Sequence, residues 1–321
     1  MKLSVFSVLL GNMSLEKAAQ YLHKSGVQAI EIGCGGFPGK AHCDPVELLA
    51  DPKKIDEMKK ILADNELEIA ALSTHGNAVH PNKDIAKAYH DDFVNAVLLA
   101  EKLGVDRVVT FSGCPGDSEN SKYPNWVTCP WPDDFLTILD WQWNEVLIPY
   151  WQKTAAFAAD HGIKKIAYEM HPGFCVYNPE TLLKLRSAVG NIVGANFDPS
   201  HLFWQGIDPV AAIRYLGDAI YYFHAKDTKI DEINTAKNGV LDTKHYGDEI
   251  NRSWIFRSVG YGHDYQLWKD MFTALRMVGY DDMISIEHED SLMTPNEGLQ
   301  KAIAFLKETM MFEDKGEMWW A

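Results

Sequence analysis

Residues 196–201 read NFDPSH and follow an apolar run, IVGA, at residues 192–195. A short apolar run of this kind is typical of a buried strand, and Pro199 ends it because proline donates no hydrogen bond to a strand ladder. Asp198 therefore stands at the carboxyl end of a strand, with His201 three residues further on. One strand that becomes polar as it reaches solvent needs no functional explanation. The interpretation depends on whether other strands end in the same way.

Eight apolar runs of this type alternate with segments whose apolar residues recur at spacings of three and four, which is the helical period. The predicted strands are residues 3–8, 29–33, 69–75, 107–112, 165–170, 192–198, 220–226 and 283–287. The clearest predicted helix spans residues 83–103. Eight βα units in order predict an α/β fold, a single (β/α)8 TIM barrel. We assign residues 1–310 to this catalytic barrel and residues 311–321 to a C-terminal tail.

A doubly wound open sheet is the alternative fold, but no GxGxxG motif follows the first strand. Residues 1–11 have the lysine and short apolar run of a signal peptide without its small-residue cleavage site, so we interpret them as the first strand. Long loops follow strand 4, at residues 113–135, and strand 7, at residues 227–263. In a barrel both loops lie on the catalytic face.

Three tryptophans in these loops leave two interpretations open. Trp126, Trp131 and Trp254 either roof a pocket in which a sugar ring stacks, or pack the loops together.

Composition excludes several classes of function. The net charge is −15, which disfavours binding to nucleic acid or to anionic membranes. Five cysteines without a CxxC spacing indicate a reducing compartment, and no apolar run approaches the roughly 18 residues of a membrane span. We therefore predict a cytoplasmic protein. The terminal EMWWA, residues 317–321, predicts a tail docked on the barrel or on another chain, hence a homo-oligomer or a small partner subunit.

Four consecutive predicted strands end in residues that bind metals. Glu169 ends the fifth strand, Asp198 the sixth, His224 lies near the end of the seventh, and Glu287 ends the eighth. Carboxyl ends of barrel strands meet at the active site. Several carboxylates buried together without a cation would be costly, because some would have to be neutralised. The pattern therefore predicts one divalent metal ion.

The ligand chemistry narrows the choice of ion. Three carboxylates and one imidazole favour an octahedral ion, Mn²⁺ or Mg²⁺, with Co²⁺, Fe²⁺ and Zn²⁺ as alternatives. The lack of cysteine ligands disfavours structural zinc. Mn²⁺ is the ion that we expect.

The set Glu169, Asp198, His224 and Glu287, with His201 after Asp198, resembles the xylose-isomerase-like superfamily, which includes ketose 3-epimerases, inosose dehydratases and endonuclease IV. The resemblance covers nearly the whole chain and implies that these four residues bind the metal. In the epimerases the two glutamates also act as acid and base on opposite faces of the substrate. The resemblance therefore implies a metal-dependent sugar isomerase or epimerase that acts on a ketose or keto-sugar through an enediolate.

Four further residues are predicted to contact the small-molecule sugar substrate. His201 would hydrogen-bond a substrate oxygen. Lys226 would neutralise developing negative charge, or form a structural ion pair with Asp227 or another acid. His75 either contacts the substrate or is a packed histidine. His171 contacts substrate or supports the site through its ring N–H.

Two departures from the epimerase pattern bear on the reaction. The ketose 3-epimerases generally carry an arginine a few residues after the histidine of strand seven, and the nearest matching position here is Ile230. They also tend to have a further glutamate shortly after the first metal-binding glutamate, where this chain has GFCVYN, residues 173–178. The motifs THGNAVHP, FSGCPG and IEHED are more similar to superfamily members that accompany sugar oxidoreductases. A metal-dependent lyase or dehydratase acting on a 3-keto-glycoside, C-glycoside or inosose is therefore the alternative enzyme. A non-enzymatic sugar-binding barrel is a third possibility, disfavoured because all four ligand positions are intact.

The nuclease function is disfavoured. Endonuclease IV has an additional Asp-x-His pair, whereas GHDY at residues 262–265 has the opposite order, and the acidic charge opposes DNA binding.

Overall fold

A closed barrel of eight parallel strands forms the centre of the computed structural model, which describes residues 1–320. Numbered in chain order, the barrel strands are β1 Lys2–Phe6, β2 Ala29–Gly33, β3 Glu68–Ser73, β4 Arg107–Thr110, β5 Lys165–Glu169, β6 Val193–Phe197, β7 Ile220–Ala225 and β10 Met283–Ile286. Strands β8 Asp227–Ile230 and β9 Trp254–Arg257 form a separate antiparallel pair. Strand β1 pairs with both β2 and β10, which closes the barrel. The predicted (β/α)8 barrel is confirmed.

Helices surround the strands. They are α1 Leu15–Lys24, α2 Pro45–Ala50, α3 Pro52–Asp64, α4 Lys83–Leu103, α5 Asp134–Trp141, α6 Ile148–Asp160, α7 Pro179–Val189, α8 Pro199–Phe203, α9 Pro209–Leu216, α10 Glu232–Asn238, α11 Tyr265–Met277 and α12 Pro295–Thr309. Helix α4 has the predicted bounds, because Asn82 caps its first backbone N–H groups and Gly104 ends it with a positive φ of 75°.

Several strands end earlier than their apolar runs predicted. Strand β3 stops at Ser73 rather than at His75, and β10 stops at Ile286 rather than at Glu287. At β6 the chain turns directly into α8, where the Asp198 carboxylate accepts a hydrogen bond from the backbone N–H of Ser200. The chain thus leaves the ladder where polar side chains begin. Those side chains are carried over the mouth of the barrel.

The insertion after β7 packs against the segment that follows α8 through a small aromatic cluster. The ring of Trp254 stacks on Trp204 with centroids 4.7 Å apart, and Trp254 is only 4% exposed. Trp131 lies largely in solvent, and Trp126 packs edge-on against Tyr177. Within residues 1–320, none of the three tryptophans lines the cavity at the centre of the barrel mouth. The geometry therefore favours loop packing for Trp254.

Residues 311–313 lie at the face opposite the barrel mouth. The amino group of Met1 donates a hydrogen bond to the carbonyl of Met311, and Arg276 donates to the carbonyl of Glu313. Beyond these contacts Trp319 and Trp320 are exposed. Docking of the tail on another chain stays a prediction. Within residues 1–320 no helix has the length and apolar character required to cross a bilayer.

Candidate active site

Four strand ends bring the predicted ligands together at the barrel mouth. Glu169 is the last residue of β5, Asp198 follows β6, His224 lies in β7 and Glu287 follows β10. One carboxylate oxygen or imidazole nitrogen from each residue lies within 4.8 Å of the corresponding atoms of the others. Glu169, Asp198 and His224 are almost completely buried. Parallel strands that end at one rim produce this cluster from residues far apart in sequence.

A fourth acid, Glu31, fixes the orientation of His224. His224 Nε2 lies 2.9 and 3.0 Å from the two carboxylate oxygens of Glu31, so Nε2 carries the proton that it donates to this carboxylate. The second ring nitrogen, Nδ1, then points at Glu169 Oε2, 3.3 Å away, and at Glu287 Oε2, 3.2 Å away. A metal-binding histidine commonly donates its other N–H to a carboxylate in this way.

Glu31 was missed by the sequence analysis. It is fully buried in β2 and accepts hydrogen bonds from the hydroxyl groups of Ser73, 2.5 Å away, and Ser285, 2.7 Å away. The signal that could have identified it is an acid inside the otherwise apolar run AIEIG, residues 29–33. A charge within a buried strand needs a partner.

Lys226 extends into the same cluster rather than towards Asp227. Its Nζ lies 3.0 Å from Asp198 Oδ2, 2.7 Å from Glu287 Oε2 and 3.0 Å from Glu289 Oε2. Asp227 instead accepts hydrogen bonds from loop backbone N–H groups, including those of Gly260 and Gly262.

The three predicted substrate-binding histidines surround Glu169. His75 Nε2 lies 3.0 Å from Glu169 Oε2, and His201 Nε2 lies 3.0 Å from Glu169 Oε1. His171 is one step further out, with its ring 4.0 Å from that of His201 and its Nδ1–H donated to the carbonyl of Pro172 at 2.6 Å. The structure thus gathers all eight predicted site residues at the barrel mouth. Their individual roles stay predictions.

The electrostatics of the cluster favour ionised carboxylates beside cations. Burial opposes ionisation of Glu169, but hydrogen bonds with His201, His224 and His75 outweigh burial and hold its pKa well below the usual range. The pKa of Glu287 is also lowered, because Lys226 and His224 outweigh burial. Burial dominates at Asp198 and raises its pKa.

Neighbouring carboxylates also change the pKa of His224. Burial alone would lower the pKa of His224, but Glu31 and Glu287 raise it well above its ordinary value. Lys226 brings one permanent positive charge to a cluster that holds Glu31, Glu169, Asp198 and Glu287. The site therefore favours additional positive charge.

The donor atoms fit a divalent cation. His224 Nδ1 and Asp198 Oδ2 are buried and make no well-aligned hydrogen bond, although Nδ1 lies 3.2 Å from Glu287 Oε2 and Oδ2 lies 3.0 Å from Lys226 Nζ. Buried polar atoms normally make aligned hydrogen bonds, and both atoms belong to a set of four donor groups within 4.8 Å of one another, an arrangement that fits a bound cation. Three carboxylates and one imidazole suit the ions that prefer oxygen with some nitrogen, and no thiolate takes part.

A cavity of about 200 Å³ opens directly onto the cluster. Glu169, Glu287, Lys226, His75 and His171 line its polar side. His288 and Glu289 add further polar groups, and the apolar part of the lining consists of Phe6, Val8, Leu9, Phe37, Pro38 and Phe111. Convergent polar groups beside an apolar wall are typical of a site for a small molecule.

The fold and the site define a member of one TIM-barrel family. The chain belongs to the xylose isomerase-like TIM barrel family, which matches residues 19–309. It is 39% identical over 312 residues to the uncharacterised protein YfiH of Bacillus subtilis (strain 168), covering 97% of this chain and 99% of that protein.

Two further comparisons extend across most of the chain. An inosose dehydratase of Clostridium botulinum (strain Alaska E43 / Type E3) is 26% identical over 264 residues, which are 80% of this chain and 82% of that enzyme. The crystal structure of the IolI protein with bound zinc superposes with a TM-score of 0.64 at 18% identity, covering 96% of this chain and 98% of that chain. At 18% identity, the likeness to the IolI protein concerns the fold alone.

Proposed function

We propose that this protein is a divalent-metal-dependent enzyme that removes a proton next to the carbonyl group of a keto-sugar and acts as a sugar isomerase or epimerase. The observation that carries the proposal is the convergence of Glu169, Asp198, His224 and Glu287 within 4.8 Å beside a small cavity. Two of the four are glutamates that also line this cavity. Each can therefore face a bound substrate.

Glu169 and Glu287 are the proton-transfer residues in this proposal. The pKa of each is lowered, so both carboxylates are ionised near neutral pH and either can accept a proton. The other, once protonated, returns a proton. Glu169 is held by His75, His201 and Asn196, so its carboxylate keeps one orientation during transfer.

His75, His201, His171 and Lys226 are proposed to hold the substrate. Lys226 is fully buried beside Glu287 and brings positive charge to the point where negative charge develops on the substrate. His75 and His171 line the cavity and offer hydrogen bonds to sugar hydroxyl groups.

Glu169, Asp198, His224 and Glu287 would hold the metal ion. When bound, such an ion acts as a Lewis acid that stabilises negative charge on a carbonyl oxygen. The oxygen-rich ligand set supports Mn²⁺ as the preferred ion, and zinc in the IolI protein makes Zn²⁺ the first alternative.

Elimination is the second candidate reaction. It is supported by the likeness to inosose dehydratases over 80% of this chain. Removal of the same proton begins both reactions, which differ in whether a proton returns or a leaving group departs. The same residues serve either outcome.

The test is a panel of ketoses, inososes and 3-keto-glycosides incubated with Mn²⁺-loaded protein in D2O. Proton NMR would follow deuterium incorporation next to the carbonyl, and chromatography would separate epimers from elimination products. We expect metal-dependent incorporation with at least one member of the panel. Glu287→Gln should reduce the rate by about 10²–10⁴-fold, the usual contribution of an acid or base.

Glu297→Gln is the matched control, because Glu297 lies exposed on α12 and pairs only with Lys301. This variant should exchange at the wild-type rate. Exchange that continues unchanged in Glu287→Gln would contradict the proposed role of Glu287. Lack of exchange with every panel member in metal-loaded protein would contradict the proposed function.

A further inference from the structure

A second cavity adjoins the first along one border. The first cavity holds about 200 Å³ and the second about 440 Å³, and both are lined by His171 and Glu289. Pockets for drug-sized ligands hold roughly 300–1,000 Å³. The first cavity alone is therefore small, whereas the two together match a ligand that has two parts.

The second cavity has an aromatic wall. Tyr246 and Phe256 stack with ring centroids 5.7 Å apart and planes 19° apart, and Ile255 lies beside them. The guanidinium of the buried Arg252 lies 4.4 Å from the centroid of Tyr246, which holds this half-exposed ring in place. A flat apolar group finds a preformed stacking surface here.

The same wall reaches the proposed catalytic cluster. Lys226 Nζ lies 4.8 Å from the centroid of Phe256, and His201 packs edge-on against that ring at 5.4 Å. A group bound on the Phe256 wall is thus one ring away from Lys226 and Glu287. A ligand that occupies both cavities would pass His171 and Glu289, the two residues that line both.

We propose that the second cavity binds the aglycone of a glycoside, so that the substrate is a keto-sugar joined to a flat, apolar group such as an aryl ring. This inference rests on the proposed function, because it assigns the keto-sugar ring to the first cavity. The carboxylate of Glu289 at the border and the net charge of −15 disfavour a phosphate in the second position. The nearly parallel rings of Tyr246 and Phe256 offer a flat apolar face that suits an aryl group.

Binding of matched glycosides tests the inference without turnover. The probes are phenyl and methyl glucopyranosides, each as both anomers, titrated calorimetrically into Mn²⁺-loaded full-length protein. We expect the phenyl glycoside of one anomer to bind at least about tenfold more tightly than its methyl counterpart, because the ring buries apolar surface. Equal affinities for phenyl and methyl glycosides of both anomers would overturn the proposal.

Two variants locate the preference. Tyr246→Ala removes one stacking ring, and Ile255→Trp fills the cavity; each should reduce the phenyl-to-methyl ratio several-fold. Tyr261→Ala is the matched control, because Tyr261 is another half-exposed tyrosine of the same insertion with an arginine, Arg257, 5.4 Å from its centroid. A ratio that persists in both cavity variants, or that falls equally in Tyr261→Ala, would overturn the assignment.

The inference and the proposed function fail in different ways. Metal-dependent proton exchange on a free ketose, together with no preference for phenyl glycosides, would overturn the second cavity alone. A preference for phenyl glycosides without exchange on any keto-sugar would support the cavity and overturn the proposed reaction.

Discussion

His224 is the residue whose orientation depends most on another side chain. Its Nε2 is fixed by both oxygens of Glu31, and its Nδ1 faces Glu169 and Glu287. Without Glu31 the ring could rotate or carry its proton on the other nitrogen. The carboxylate thus acts on a metal ion through the imidazole, as carboxylates behind metal-binding histidines generally do.

Replacement of this carboxylate should weaken metal binding while the barrel stays folded. We expect Glu31→Gln to bind Mn²⁺ roughly 10–100-fold more weakly, the usual effect of removing such a partner. Competition with a fluorescent chelator measures the affinity, and circular dichroism checks the fold. Glu68→Gln is the control, because Glu68 begins the adjacent strand β3 but is exposed and pairs with Lys2. Equal affinity of Glu31→Gln and wild type would contradict the role of Glu31.

Charged residues lie at both ends of the barrel strands, and the two groups have different roles. The carboxyl ends hold the candidate active site. At the amino ends, Asp282 pairs with Arg107 at the start of β4 and lies 3.3 Å from Lys165 at the start of β5. Arg107 is buried and lies over the ring of Tyr222 at 5.1 Å. This ion cluster ties three strands together on the face opposite the site.

Asp282 should make stability depend on pH. Burial opposes its ionisation, but Arg107 and Lys165 outweigh burial and lower its pKa. A lowered pKa means that the unfolded chain binds the proton more readily, so the contribution is present above about pH 4 and is lost as pH falls further. We expect Asp282→Asn to lower the free energy of unfolding by about 2–3 kcal/mol at pH 7 and by much less near pH 3.

Urea denaturation at several pH values measures this difference. Asp56→Asn, a change at an exposed position on α3, is the control and should have little effect at any pH. A destabilisation by Asp282→Asn that is the same at pH 3 and pH 7 would show that the ion pair is not its cause.

The order of strands and the sites of polar strand ends could be predicted, because each apolar run ends in a residue type that burial alone does not explain. Glu31 could not be found in the same way, since it lies inside β2 rather than at its end. Its partner, His224, is 193 residues away, and no local pattern encodes a pair so distant. The barrel brings the two together.

The ion pair of Lys226 with Asp227, an alternative expected from the sequence, shows a different limit of prediction from sequence. Adjacent residues on extended backbone point to opposite sides, so Asp227 faces the insertion while Lys226 faces the barrel mouth. This alternation was available from the sequence. The contact with Glu289 was not, because it depends on where the chain turns after β10.

The negative charge of the protein acts in two ways, as a field over its surface and as a local cluster of buried carboxylates. The chain carries a net charge of −15, and it also gathers Glu31, Glu169, Asp198 and Glu287 in one place. Any salt at a concentration of order 0.1 M screens the field of the net charge. The buried cluster, by contrast, is neutralised only by an ion that its own buried atoms hold.

Metal-dependent stability distinguishes the two effects. A ligand that binds only the folded state adds about 2.7 kcal/mol at a concentration 100 times its Kd, and then about 1.4 kcal/mol for each further tenfold increase. We expect the free energy of unfolding of metal-free wild-type protein to rise with MnCl2 in this manner, with one ion bound per chain by elemental analysis. Asp198→Asn should lose most of this rise but keep any non-specific screening, because it changes the net charge by one only. If wild type and Asp198→Asn gained equal stability from MnCl2, the ion would act on the surface of the protein rather than at the strand ends.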